Sequence, residues 1–438
     1  MNEQFQPPKG TPLFNPWTPE FIADPYPFYH RLRVTDPMHL MPLGLYIASR
    51  HSDVTEILRD KRFGKDFIGR MTRRSGPQIL EEPVYRSMSH WMLQLDPPDH
   101  GRLRGLVVRA FTARRIEDMR QRIQQIVDEI IDRMEPRGRM DLIADFAFRL
   151  PVTVICDMLG IPEKDRQVFF TGSRGGGRLL DLAPLSKAEL DEQNAANLAM
   201  ADYFQRLFEL RRREPGNDLT THLVQAEENG NKLTNEELTA NVILLFGAGH
   251  ETTVNLIGNG LLALYRNPDQ LQLLKSNPSL MPNAIEELLR YDSSVQVTGR
   301  TTLEHVDEIG GISLKKGQSV VCLLGSANRD PAVYPDPERL DIMRQDVRPL
   351  SFGGGIHYCV GAQLARIEGE IAIATLLRRL SNLQLDDIEH PDWRQTFALG
   401  RQVAETEQLT PEQAAARRRM LAAAHVPLED PAKAPAAD

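Results

Sequence analysis

Cysteine is scarce in this chain: Cys156, Cys322 and Cys359 are the only three in 438 residues. So small, odd and scattered a set makes no disulfide framework and fits a reducing compartment. Long apolar runs are missing too. No stretch reaches 18 consecutive apolar residues, so no membrane-spanning helix is expected. The opening MNEQFQPPKGTPLFNPWTPEF has no apolar core of a signal peptide. Positive charge is in deficit, with 52 Lys and Arg against 60 Asp and Glu, a net charge of −8. That disfavours a general nucleic-acid binder, which needs clustered cations. The glycine fingerprint of a dinucleotide-binding unit and the closely spaced cysteines of a ferredoxin are both absent, so the chain brings no electron source of its own. Internal repeats are also lacking. These absences together predict a soluble, cytoplasmic protein with no nucleic-acid or membrane partner.

What is present is mostly helical patterning. Apolar positions recur at three- and four-residue spacing over 99–111, 114–135, 141–159, 187–214, 217–229, 234–266, 268–276, 281–292 and 362–380. The longest of these opens with Thr234 and, three residues on, Glu237, the signature of a capping box. Strand signals are fewer: LYIAS at 45–49, VQVTGRTTL at 295–303, and glycine-punctuated runs within 307–324. Helices and strands do not alternate regularly, so a mainly α fold with a smaller β region is expected rather than a doubly wound sheet. Residues 66–98 read as a long irregular loop, a class of segment that is usually functional. TGSRGGGRLLDLAPLS at 171–186 reads as a break between helices. A short helix over 411–425 and a disordered Pro/Ala tail are expected beyond it.

The most informative stretch is SFGGGIHYCVGAQLAR at 351–366. A lone cysteine is ordinarily a small buried hydrophobe, and Cys156 and Cys322 are read that way. Cys359 differs, because Gly353, Gly354, Gly355 and Gly361 crowd it and a helix-forming run follows directly. Glycines let backbone approach a bulky planar group closely. A helix N-terminus directed at the sulfur favours a thiolate. A thiolate under a flat partner is the arrangement of an axial haem ligand.

Phe352, Gly355, His357, Cys359 and Gly361 match the F-x-x-G-x-H-x-C-x-G signature, and on them the chain resembles the cytochrome P-450 haem-thiolate monooxygenases, most nearly the soluble bacterial members. The resemblance covers nearly the whole chain. It implies the P-450 fold as a single haem-binding domain over 1–410, with 411–438 as an extension. It also implies haem b as cofactor and Cys359 as its metal ligand. AGHETT at 248–253 looks like the oxygen-activation motif. Gly249 would leave room for dioxygen, and Glu251 with Thr252 would form an acid–alcohol pair that passes protons. His100 and Arg104 in DPPDHGRLR, Arg300 in VTGRTT, and His357 match positions that hold the haem propionates. Glu287 and Arg290, one turn apart, match a structural pair, with Arg339 as candidate partner from the 327–344 segment. Leu340 stands where relatives usually carry Phe.

A monooxygenase is then implied, inserting one atom of dioxygen into a small to medium, largely apolar substrate by hydroxylation or epoxidation. Its two electrons would come from a ferredoxin or flavodoxin and an NAD(P)H-dependent reductase. Arg102, Arg109, Arg114, Arg115 and Arg366 are candidates for a docking patch on the cysteine side. A peroxygenase or haem isomerase, and a non-catalytic haem sensor, are the alternatives, both disfavoured by the Glu251–Thr252 pair. The substrate pocket is expected from residues 66–98, 171–186, Ile243, Leu244, Ala248, Val295 and Val297, with a further contact near Phe397–Leu399. Arg70, Arg73 and Arg74 read as a solvated loop, with a carboxylate-holding role as the alternative. After FALG the polar RQVAETEQLTPEQ departs from the apolar strand usual in relatives.

Overall fold

The computed structural model describes residues 13–403, apart from 168, 170–175, 226, 229–230, 387, 390, 392, 395–397 and 400–401. The helices that carry the argument are α1 (Phe67–Ser75), α2 (Asp99–Ala110), α3 (Arg120–Met134), α4 (Arg149–Leu159), α5 (Lys187–Arg213), α6 (Asn235–Arg266), α7 (Met281–Tyr291) and α8 (Ala362–Arg379). The strands are β1 (Met38–Leu40), β2 (Tyr46–Ala48), β3 (Phe63–Gly64), β4 (Val297–Thr302) and β5 (Ser319–Leu323).

The long helix α6 starts where the sequence says it should. Glu237 N donates to Thr234 Oγ1 at 3.1 Å and Thr234 N donates to Glu237 Oε2 at 3.0 Å, which satisfies donors that a helix start leaves open. Every residue of α6 from Thr253 to Leu264 is buried, so all of its sides are covered there. A helix apolar all round belongs at the centre of a large core. Helices α3, α4, α7 and α8 pack into that same core through Ile126, Val154, Ile285 and Ile373. The sheet lies to one side, in the order β1-β2-β5-β4-β3. β2 and β5 run parallel and the other neighbours antiparallel. The mainly α architecture with a smaller β region is therefore as expected.

Several local expectations fail. Residues 66–98 are not an irregular loop: they hold α1, a second short helix at Pro83–Met88, and 3₁₀ turns at Pro77–Glu81 and Met92–Gln94. These elements are too short to stand alone and form because Phe67, Met71 and Met88 dock into the main core. The 114–135 pattern divides into Ala113–Asp118 and α3, and 141–159 opens with a π-helical segment at Leu142–Ala147. The 217–229 pattern ends as a helix at Gln225, after which Glu227–Glu228 pairs with Asn231–Lys232. A helix at His51–Arg59 and strand β1 went unread. Near the C-terminus Gln402–Val403 does form a strand, antiparallel to Trp393–Arg394. The helix expected at 411–425 and the tail lie outside the described residues.

Candidate active site

Between the sheet and α6 lies a cavity of about 990 Å³, with the Cys359 loop on one side and α6 among its walls. The loop is set by glycines where nothing else fits. Gly355 has φ +64°, and a Cβ there would collide with the carbonyl oxygen of Leu58 at the end of the His51–Arg59 helix. Gly353 has φ +71°. Cys359 N donates to Phe352 O at 3.0 Å, which closes the loop. Cys359 is the exposed member of the three cysteines, and it faces the cavity. Burial pushes its thiol up, opposed by a hydrogen bond from the Gly361 backbone and by the charges of Arg104 and Arg366. Cys156 and Cys322 are buried, and burial pushes their thiols up to about 12 and about 11. They are the inert cysteines the sequence suggested.

One wall of the cavity gathers five basic side chains, two of them with a buried nitrogen that has no partner. The rings of His100 and His357 lie 4.3 Å apart, and Nε2 of each is buried with no partner. Burial, aided by neighbouring cations, pushes both imidazoles down. Arg300 is buried and uses Nη1 on its own strand, at Gly299 O (2.9 Å) and Thr298 Oγ1 (3.2 Å). Arg104 also lines the cavity and donates from Nη2 to Tyr358 O at 2.6 Å. Sequence reasoning missed a fifth member, Lys65, buried beside them with Nζ 3.2 Å from Gly299 O. Burial, then Arg300 and Arg70, push its ammonium well down. The nearby carboxylate of Asp96 is committed to two backbone donors, Lys65 N at 2.7 Å and Asp66 N at 2.8 Å. Such a cluster of desolvated donors calls for an anion of more than one charge.

Across the cavity, α6 presents Ala248, Gly249, Glu251 and Thr252. Thr252 Oγ1 donates to Ala248 O at 3.0 Å, one turn back. A Cβ on Gly249 would reach Ile155 at 3.6 Å, an ordinary contact, so packing alone does not demand glycine there. Glu251 lies under the Gly176–Leu180 turn: a Cβ on Gly177 would sit 2.9 Å from Glu251 Oε1 and would collide with Leu399. Leu244, Val295, Val297 and Leu399 also line the cavity. Asn255 Nδ2 ties Leu399 O (2.9 Å) and Ser294 O (3.3 Å) to α6. Phe397 is outside the described residues.

The family model for cytochrome P450 matches residues 179–406. Cytochrome P450 107B1 of Saccharopolyspora erythraea is 42% identical over 391 residues, covering 85% of this chain and 92% of that protein. Cytochrome P450 monooxygenase PikC of Streptomyces venezuelae is 41% identical over 375 residues, covering 84% and 86%. The solved structure of myxobacterial cytochrome P450 CYP267B1 in complex with myristic acid superposes with a TM-score of 0.80 at 39% identity, covering 88% of this chain and 96% of that one. The chain belongs to the cytochrome P450 family.

It is a P450 monooxygenase, and haem b is the cofactor of its family. The site fits that group. It offers a cysteine open to the cavity, a glycine loop that leaves the cysteine face uncovered, and orphaned donors for two carboxylates.

Behind the P450 cysteine loop sits a buried ion cluster. Arg290 donates from Nε to Glu287 Oε2 at 2.7 Å and from Nη2 to Oε1 at 2.8 Å, with neither side chain exposed. Its Nη1 donates to Pro337 O (2.8 Å) and Asn328 O (3.1 Å). The third arginine is not the one expected. Arg339 gives Arg290 only its backbone carbonyl, at 3.1 Å, while its side chain is mostly exposed, 4.0 Å from Asp341. Arg344 instead places Nε 3.3 Å from Glu287 and is largely buried. The reason is local: a turn closes from Arg344 N to Asp341 O, folding Arg344 back over the segment. Leu340 is buried where relatives usually carry Phe. Accordingly, Arg344→Ala is expected to destabilise the protein by about 1–3 kcal/mol and Arg339→Ala by no more than about 0.5 kcal/mol. Denaturant midpoints of the two variants would check this, and equal midpoints would refute the assignment.

Proposed function

We propose that this chain hydroxylates or epoxidises a small to medium, largely apolar organic molecule held in the cavity described above. The observation that carries the reading is one chamber shared by Cys359, the acid–alcohol pair Glu251–Thr252 and the unpaired donors around His100 and His357. Haem, when bound, activates dioxygen and delivers one oxygen atom to the substrate. Cys359 is its ligand, seated by Phe352, Gly355 and Gly361. His100, Arg104, Arg300 and His357, with Lys65 added, hold the two propionates. Gly249 leaves space beside the reacting oxygen. Thr252 and Glu251 hold and pass the protons that the reaction consumes. Leu244, Ala248, Val295 and Val297 contact the substrate. Residues 1–410 serve as the catalytic domain and 411–438 as an extension. CYP267B1, crystallised with myristic acid, supports an apolar body for the substrate.

Electrons come from a ferredoxin or flavodoxin and its NAD(P)H-dependent reductase in the cytoplasm. No helix among the described residues is long and apolar enough to cross a membrane. The arginines proposed for the docking face differ in their surroundings. Arg102 is paired with Glu237 and Asp99, Arg366 with Glu286, and Arg115 lies against His222. Arg109 and Arg114 are the exposed members of the set, and Val108, Ile356 and Tyr358 are exposed apolar residues. Arg109→Glu is expected to slow reduction by up to about tenfold at low salt and to flatten its salt dependence. Stopped-flow reduction would measure both, and an unchanged rate and slope would remove Arg109 from the face.

The central test is the absorption spectrum of the dithionite-reduced protein under carbon monoxide. A strongly red-shifted Soret band that disappears in Cys359→Ala is expected. A band typical of histidine ligation in well-folded protein would overturn the reading.

A further inference from the structure

Helix α1 sends three arginines toward the cavity, and they differ in what neutralises them. Arg73 pairs with Asp66 at 2.7 Å. Arg74 donates to Leu182 O at 2.7 Å. Arg70 has no acid. Its Nη2 makes one long hydrogen bond, 3.3 Å to Gln94 Oε1, its Nε is buried without a partner, and the Phe67 ring lies 5.7 Å from the guanidinium carbon. Among the described residues no ion pair reaches it. Burial and then Arg74 push its guanidinium down, yet an arginine does not give up its proton in a protein. A desolvated cation facing a cavity is costly until an anion joins it.

The propionate cluster is joined by the contact of the His100 and His357 rings and by the bonds of Arg300 and Lys65 to Gly299 O. Arg70 shares none of these partners: it lines the same cavity from α1 and bonds to Gln94 instead. Of the three, only Arg70 holds a buried N–H with no acceptor. One such cation is balanced by one monoanion, and its planar guanidinium can donate two parallel hydrogen bonds to a carboxylate.

We propose that Arg70 binds the carboxylate of a free carboxylic acid whose apolar body extends along the Leu244, Val295 and Leu399 walls. This rests on the cavity being the substrate chamber of the monooxygenase. A carrier-bound thioester lacks the free carboxylate and is not the substrate form.

The test is calorimetric titration of the haem-loaded full chain with dodecanoic acid and with dodecan-1-ol, a body of the same length without the charge. The acid is expected to bind about 10- to 100-fold tighter. Arg70→Gln should erase that preference and leave the alcohol within about twofold of its original affinity, while Arg70→Lys keeps part of it. Equal binding of acid and alcohol to the original protein, or binding of neither, overturns the proposal. So does a fall in haem content in Arg70→Gln, which would assign Arg70 to a propionate. Calorimetry reads the carboxylate preference whatever the carbon monoxide spectrum shows, so failure of the thiolate reading and failure of this one are separable.

Discussion

Replacing Glu287 by alanine is expected to cost about 3–5 kcal/mol of folding stability. Glu287 and Arg290 are fully buried, and Arg344 is nearly so. Every oxygen of Glu287 is in use: Oε2 takes Arg290 Nε, and Oε1 takes Arg290 Nη2 and the backbone N–H of Asp341 at 2.9 Å. Removing the carboxylate strands two guanidinium groups out of water and frees the segment that leads into the cysteine loop. Domains keep only about 5–15 kcal/mol in total, so the loss should appear as poor haem retention as well as a lower denaturation midpoint. Glu287→Ala combined with Arg290→Met should be less damaging than the sum of the two single changes, because the stranded charge goes with its partner. A Glu287→Ala midpoint within about 1 kcal/mol of the original would show that the cluster does not hold the loop.

The second large effect is expected at the acid–alcohol pair. Thr252→Ala and Glu251→Gln should each lower product formed per NAD(P)H consumed by about 10²-fold, the lower range for a positioned proton donor. Thr252, bonded to Ala248 O, and Glu251, beneath Gly177, both line the cavity. Thr252→Ser keeps the hydroxyl and should recover most of the coupling. Substrate affinity should stay nearly constant in all three, since the change lies in proton delivery and not in binding. Glu251→Gln with unchanged coupling would exclude the carboxylate from the relay.

What could be read beforehand follows from how local each signal is. Cys359 was legible because its glycines, His357 and the helix start occupy one contiguous stretch. The start of α6 was legible because a capping box needs only Thr234 and Glu237. Lys65 was not, since its meaning depends on Arg300 and His357, which lie more than two hundred residues away along the chain. A lone lysine in FGKDF carries no such signal. Arg344 was not separable from Arg339 in the sequence because both lie in the 327–344 segment and only the turn at Asp341 decides which faces Glu287. The α1 region was misread because nine residues are too few for periodicity, and its helix depends on Phe67 and Met71 docking elsewhere. At 217–229 the helical pattern was extended past Gln225, although the Asn-Gly step at 229–230 is a hairpin signal in its own right.

The roof of the cavity and its floor are fastened differently. The cysteine loop is anchored by the many-bonded Glu287–Arg290–Arg344 cluster. The roof is stitched by scattered bonds between distant segments: Arg74 to Leu182 O, Ala398 N to Asp181 Oδ1 at 2.7 Å, and Asn255 Nδ2 to Leu399 O. A change in the roof costs about one hydrogen bond; a change in the floor costs several. Descendants of this sequence can therefore drift toward new substrates through residues 176–185 and 398–399 while the oxygen chemistry is inherited intact, so one ancestor could supply a lineage of enzymes with different diets.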